Sequence, residues 1–197
     1  MPKIDAPTVA EHRAAVQKRL VDAAEEILRS GQPENLTAAA VTQAAGIARN
    51  SIYRYVESVE DLHGLVLERY LPAWLEAVAA ELATVEEPDQ RIVVWVRANI
   101  QQAAHSGHGW LMGLGRRSPS NVTKEVMDSA HSLMRDALAD AWGALIQDPT
   151  RVRVAAGLTR GLLEASFRQM EARVPVDVMV ESGQAAARAL VEALRDR

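Results

Sequence analysis

Apolar residues recur at steps of three and four along almost the whole chain, and no run of alternating β-branched residues bounded by turn signals interrupts them. That spacing lines up apolar side chains as one stripe on a helix and leaves no segment suited to a sheet. The expected fold is therefore all-α. Glycine and proline cut the pattern at Gly31 to Pro33, Gly46, Pro72, Pro88, Gly107 to Gly115, Pro119, Pro149 and Pro175, which implies about nine helices.

With 197 residues, 48% of them hydrophobic and 24% charged, the chain has the composition of a globular protein able to bury a core. It contains no cysteine, which excludes disulfides, thiolate metal sites and thiol redox sensing. A net charge of -4 argues against a protein that coats nucleic acid indiscriminately, yet leaves room for a small basic face. No signal-peptide pattern precedes Arg13, and no apolar stretch approaches the roughly 18 residues of a membrane span, so a cytoplasmic location is expected.

Helix 1 is expected over about Val9 to Ser30, with Val16, Leu20, Ala24, Ile27 and Leu28 on one face and Gly31 ending it. Thr37 reads as the N-cap of a short helix reaching Ala45, because its oxygen can take an amide left unpaired in the first turn. Gly46 supplies a turn, Ala48 to Val56 make another short helix, and Ser58 with Asp61 three residues on opens a longer one to about Ala83. Later helices are expected over Asp89 to His105, Trp110 to Arg116, Val122 to Gln147, Thr150 to Arg173 and Val176 to Asp196. This divides the chain into a three-helix domain over 1–60 and a larger helical domain over 61–197.

The segment from Leu36 to Leu62 has the layout of a helix-turn-helix. Val41, Ala44, Ile47 and Ile52 can form a compact core between two short helices, and Gly46 can take the positive φ of a tight turn. Arg49, Asn50, Ser51, Tyr53 and Arg54 remain as a polar face on a helix short enough for a major groove. The segment resembles the TetR family of transcriptional regulators. That family's pattern is a threonine-led helix, an Ala-Gly-Val/Ile turn, and a helix ending in Tyr-x-Tyr/His-Phe before Ser-Lys-Glu-x-Leu. Matching residues are Thr37, Ala45-Gly46-Ile47, Tyr53-Arg54-Tyr55-Val56 and Ser58-Val59-Glu60-Asp61-Leu62, about a quarter of the chain.

The resemblance implies a ligand-responsive repressor that grips a palindromic operator as a homodimer. Thr37 would meet a phosphate at a helix N-terminus. Arg49, Asn50 and Ser51 would face base edges or adjacent phosphates, Tyr53 and Tyr55 would offer hydroxyls to the DNA backbone, and Arg54 would reach a phosphate or guanine. Two departures stand out: Val59 occupies the position of the family's phosphate-gripping lysine, and Ala48 that of the serine opening the recognition helix. Affinity then rests more on Arg49, Arg54 and the basic residues of helix 1, His12, Arg13, Lys18 and Arg19.

The resemblance also implies that the larger domain binds a small apolar or amphipathic effector, for which Trp95, Asn99, Trp110, His131, Met134, Phe167 and Met170 are candidates. The last two helices carry small and apolar residues in register. Gly157, Gly161 and Leu162 on the first of them, with Val180, Gly183, Ala187 and Leu190 on the second, suit a four-helix dimer interface. His105 and His108 bracket a glycine and lack a third ligand, so no metal site is expected. An all-helical enzyme and a scaffold that binds only proteins are the alternatives. The chain shows no nucleophile with its base and no phosphate-cradling glycine loop, so neither catalysis nor a cofactor is expected.

Overall fold

The computed structural model describes residues 8–30, 32–107 and 121–196. Among them run seven α-helices, here numbered α1 (Val9–Arg29), α2 (Ala38–Ala45), α3 (Asp61–Ala83), α4 (Pro88–Ser106), α5 (Asn121–Gly143), α6 (Pro149–Glu171) and α7 (Val176–Leu194), with short 3-10 segments at Pro33–Asn35 and Arg49–Arg54. No strand occurs among the described residues. The helix expected over Trp110 to Arg116, and Gly31 as the end of helix 1, lie outside the described residues.

Described residues up to 69, with 121–126, fall in one compact unit, and those of 70–107 and 127–196 in a second. The division passes through α3, after Arg69. In the first unit α1 opens with a capping box: Thr8 Oγ1 accepts the Glu11 amide at 3.2 Å, and Glu11 Oε2 accepts the Thr8 amide at 2.6 Å. Val16, Leu20, Val21, Ala23, Ala24 and Leu28 form its buried face, against which α2 packs. Arg69 ties the start of α3 to α1 through Asp22 at 2.8 Å and Glu25 at 2.7 Å. Such partly exposed pairs orient helices more than they stabilise them. Pro72 sits inside α3 rather than ending it, and α3 continues to Ala83.

In the second unit α4 is the central element, burying Ile92, Val94, Trp95, Val96, Ala98, Asn99, Ile100 and Ala103. It packs most extensively on α7 and also on α6. Pro149 follows the cap Asp148, whose carboxylate accepts the Thr150 amide at 2.8 Å, so α6 starts sharply. Arg91 covers the end of α3 by donating to the Leu82 and Val85 carbonyls at 3.0 and 3.1 Å. Arg151 pairs with Asp196 and donates to the Leu194 carbonyl at 2.9 Å, closing the end of α7.

Two residues expected at a dimer face turn inward instead. Ala187 is fully buried, and a Cβ at Gly183 would lie 2.6 Å from Ile100 Cδ1 and 3.3 Å from Val96 Cγ1. Both positions serve the packing of α7 on its own α4, where the missing side chain permits the close approach. Gly183→Val is expected to lower the unfolding free energy by about 1–3 kcal/mol through overpacking, read as an earlier midpoint in urea denaturation. Gly143→Ala is the control: a Cβ there meets nothing within 4 Å, so the midpoint should hold or rise as the helix gains a better helix former.

Candidate functional site

Thr37 caps α2 as its sequence suggests, its Oγ1 accepting the Ala40 amide at 3.2 Å, which leaves the hydroxyl proton free to donate outward. The helix buries Ala38, Val41, Thr42 and Ala45, the i, i+3, i+4, i+7 stripe of a single face. Thr42 satisfies its buried hydroxyl by donating to the Ala38 carbonyl at 2.6 Å. Ala44, expected in the core, is exposed because it falls off that stripe, and Ile47 is half-buried.

Gly46 ends α2 in the left-handed conformation, φ 68° and ψ 40°. Its amide reaches the Gln43 carbonyl at 3.3 Å, and the Ile47 amide reaches Thr42 at 3.0 Å, the paired closure of a Schellman end. The next segment differs from expectation: Arg49–Arg54 is a 3-10 stretch, not an α-helix over Ala48 to Val56. Its amides bond three residues back, Ser51 to Ala48 at 2.8 Å and Tyr55 to Ile52 at 2.9 Å. Three local causes act together. Ala48 offers no side-chain cap, six residues are too few for cooperative helix growth, and Asn, Ser, Ile and Tyr are indifferent helix formers.

Ile52 within this stretch is fully buried and Val56 just beyond it nearly so, which pins one side to the unit's core. Arg49, Asn50 and Arg54 are exposed and Tyr53 is 59% exposed, while Ser51 and Tyr55 are half-buried. The Tyr55 ring carries the Arg13 guanidinium 5.5 Å from its centroid, so this cation from α1 stands beside the segment. Behind the segment, Asp61 Oδ2 accepts the amides of Glu57 and Ser58 at 3.0 and 2.9 Å. The bond from the Ser58 amide is one half of the capping box expected at this pair, while the α-helix itself begins at Asp61. On α1, Lys18 and then Arg69 donate to Asp22 and hold its carboxyl below the usual carboxylate range.

The structure brings part of the expected effector set together in the second unit. Trp95 and Asn99 share one face of α4 and are both buried. Asn99 Oδ1 accepts from Trp74 Nε1 at 2.9 Å, and its Nδ2 donates to the Trp95 carbonyl at 2.8 Å. The Trp74 ring meets Phe167 edge to face, with centroids 6.4 Å apart. Met134 and Met170 are half-buried on α5 and α6. Trp110 and the His131 side chain lie outside the described residues. Trp74 is among the apolar residues the sequence offers for such a pocket, but its place as the hub of this cluster, through Asn99, shows only in the structure. The available signal was chemical: a buried indole needs an acceptor, and Asn99 is a polar residue on an apolar face.

A separate cleft of about 550 Å³ lies along α4 and α7 and is lined by charges of both signs, among them Asp89, Arg97, Arg188 and Glu192. None of the expected effector residues lines it. Among the described residues no group of three His, Asp or Glu could hold a metal ion, and no helix is long and apolar enough to cross a membrane. Of the expected dimer residues besides Gly183 and Ala187, Gly161 is exposed and Gly157, Leu162, Val180 and Leu190 are half-buried. Val154, Leu158, Val176 and Val178 expose apolar side chains on the same two helices.

No family model matches the chain. HTH-type transcriptional regulators from two strains of Mycobacterium tuberculosis are each 28% identical over 83 residues, 42% of this chain and 41% of theirs. The chain thus spans about two fifths of the length of these curated relatives. The structure of a TetR transcription regulator from Haloarcula marismortui is similar over 93% of this chain and 100% of its own, with TM-score 0.69 at 10% identity. That of RolR in complex with resorcinol is similar over 95% and 98%, with TM-score 0.62 at 19% identity.

Asp61→Ala would strand two amides in the turn behind the exposed segment. It is expected to lower the unfolding free energy by about 2–3 kcal/mol, with Asp61→Asn milder, as measured by urea denaturation followed by circular dichroism. Helix order, the left-handed turn at Gly46 and the structural comparisons agree, and the chain has the fold of the TetR family of transcriptional regulators.

Proposed function

We propose that the chain is a ligand-responsive transcriptional repressor that binds a near-palindromic operator as a homodimer in the cytoplasm. Residues 1–60 form the DNA-binding domain and 61–197 the effector-binding and dimerisation domain. The observation that carries this reading is the exposure of Arg49, Asn50, Tyr53 and Arg54 on a short segment whose Ile52 is fully buried. A polar face pinned from behind can enter a major groove without reorganising, and guanidinium and amide groups suit base edges. Thr37 donates its hydroxyl to a phosphate, Ser51 and Tyr55 border the reading face, and Arg13 on the Tyr55 ring adds a phosphate contact in place of the lysine that Val59 replaces.

A dimer follows from groove geometry, since two reading segments must reach grooves about 34 to 36 Å apart. Its surface is the pair α6 and α7, through Val154, Leu158, Gly161 and Leu162 with Val176, Val178, Val180 and Leu190, while Gly157 lets the helices approach. The effector site is the aromatic cluster of Trp95, Phe167 and their neighbours. RolR, of like fold, has been seen with resorcinol, and a small ring-bearing molecule of that kind suits a cluster of flat side chains. Effector binding weakens operator binding only by as much as the effector prefers the released conformation.

Arg49→Ala combined with Tyr53→Ala is expected to abolish retention of genomic DNA fragments in gel-shift assays while leaving helical circular dichroism unchanged. Unchanged retention would refute the DNA-reading role and favour an enzyme or scaffold. Leu158→Arg is expected to turn a dimer into a monomer in sedimentation at micromolar concentration and to weaken operator binding with it; a wild-type monomer would contradict the interface.

A further inference from the structure

Among the described residues three tryptophans are buried, and their indole N–H groups are not treated alike. Trp74 Nε1 donates to Asn99 at 2.9 Å, and Trp142 Nε1 donates to Thr159 Oγ1 at 3.1 Å. Trp95 is 2% exposed, and its Nε1 is buried with no acceptor. A buried donor without a partner is destabilising, and chains that provide acceptors for two indoles but not a third leave that third N–H available to something else. Asn99, one turn away on the same face of α4, cannot fill the need, since Trp74 occupies its Oδ1 and its Nδ2 points to the Trp95 carbonyl. Through Asn99 the Trp95 turn is tied to Trp74 and so to the edge of Phe167.

We propose that the Trp95 indole N–H is the polar anchor of the effector site, and that the effector is an apolar or aromatic molecule bearing a hydrogen-bond-accepting oxygen, such as a ketone, ester or phenol oxygen. This rests on the effector-responsive reading above and narrows it. A hydrocarbon of the same shape leaves the donor unmet, and a molecule offering only donors places hydrogen against hydrogen. The selectivity therefore comes from one buried N–H without an acceptor, where an unmatched partner is penalised most.

The test uses the full chain without DNA and two probes of like shape, acetophenone, which has an acceptor oxygen, and ethylbenzene, which has none. By calorimetric titration, the preference for acetophenone over ethylbenzene is expected to fall about tenfold from wild type to Trp95→Phe. Comparing a ratio cancels the space that the smaller ring opens for both probes. In proton–nitrogen correlation spectra of the wild type, the Trp95 indole proton should move downfield with acetophenone, as a new hydrogen bond requires, and not with ethylbenzene, whose ring alone acts on it, while the signal of Trp142 stays. The spectra keep the test valid if Trp95→Phe folds poorly. A ratio that does not change, a Trp95 signal indifferent to acetophenone because a resident water already serves it, or binding of neither probe would overturn the proposal. Because no DNA is present, such a result leaves operator recognition to its own gel-shift test.

Discussion

The backbone reverses at Gly46 through a left-handed residue, a conformation that a side chain resists, and the first unit is arranged around that reversal. Because α2 stops there with its last carbonyls closed by Gly46 and Ile47, the chain can bring Ile52 back into the core within a few residues. Once Ile52 and Val56 are buried, the polar residues interleaved with them have nowhere to go but outward. The Asp61 carboxylate then gathers the amides of 57–58 and starts α3. A turn, a buried anchor and a carboxylate are enough to present a polar edge without a long helix.

The second unit depends on a different constraint, the need to satisfy polar groups inside an apolar helical pack. Asn99 and Thr159 are buried because two indoles require acceptors, and each of the two also bonds a backbone carbonyl, Trp95 and Ala155 respectively. Small residues set the distances: Gly183 lets α7 lie on Val96 and Ile100, and Ala187 continues the same contact one turn later. The Trp95 N–H stands out against the two matched indoles, and on the same helix the Arg97 Nε is likewise buried without a partner.

Much of this is legible in the sequence. Thr37 as a cap, Gly46 as a turn, and Pro149 and Pro175 at helix starts depend on interactions within a few residues, and local chemistry decides them. The candidate reading face was legible for the same reason, since Ile52 is the apolar residue in a polar run. The 3-10 geometry was less so. Ala48 in place of a capping residue was visible, but its consequence depends on how tightly Ile52 draws the segment inward. Asn99 could be read as an effector contact until its two partners were seen.

The sequence by itself determined the helical class, the order and approximate ends of the described α-helices, and the turn that exposes Arg49, Asn50, Tyr53 and Arg54, because periodicity and caps act over one or two turns. Only the tertiary structure decided which of several equal apolar stripes turn inward. Gly183 and Ala187 are buried against α4, whereas Val154 and Leu158, on an equally apolar stripe, face out. Nothing local distinguishes those positions. The choice is made by the fit between helices far apart in the chain, and that fit exists only once they have packed.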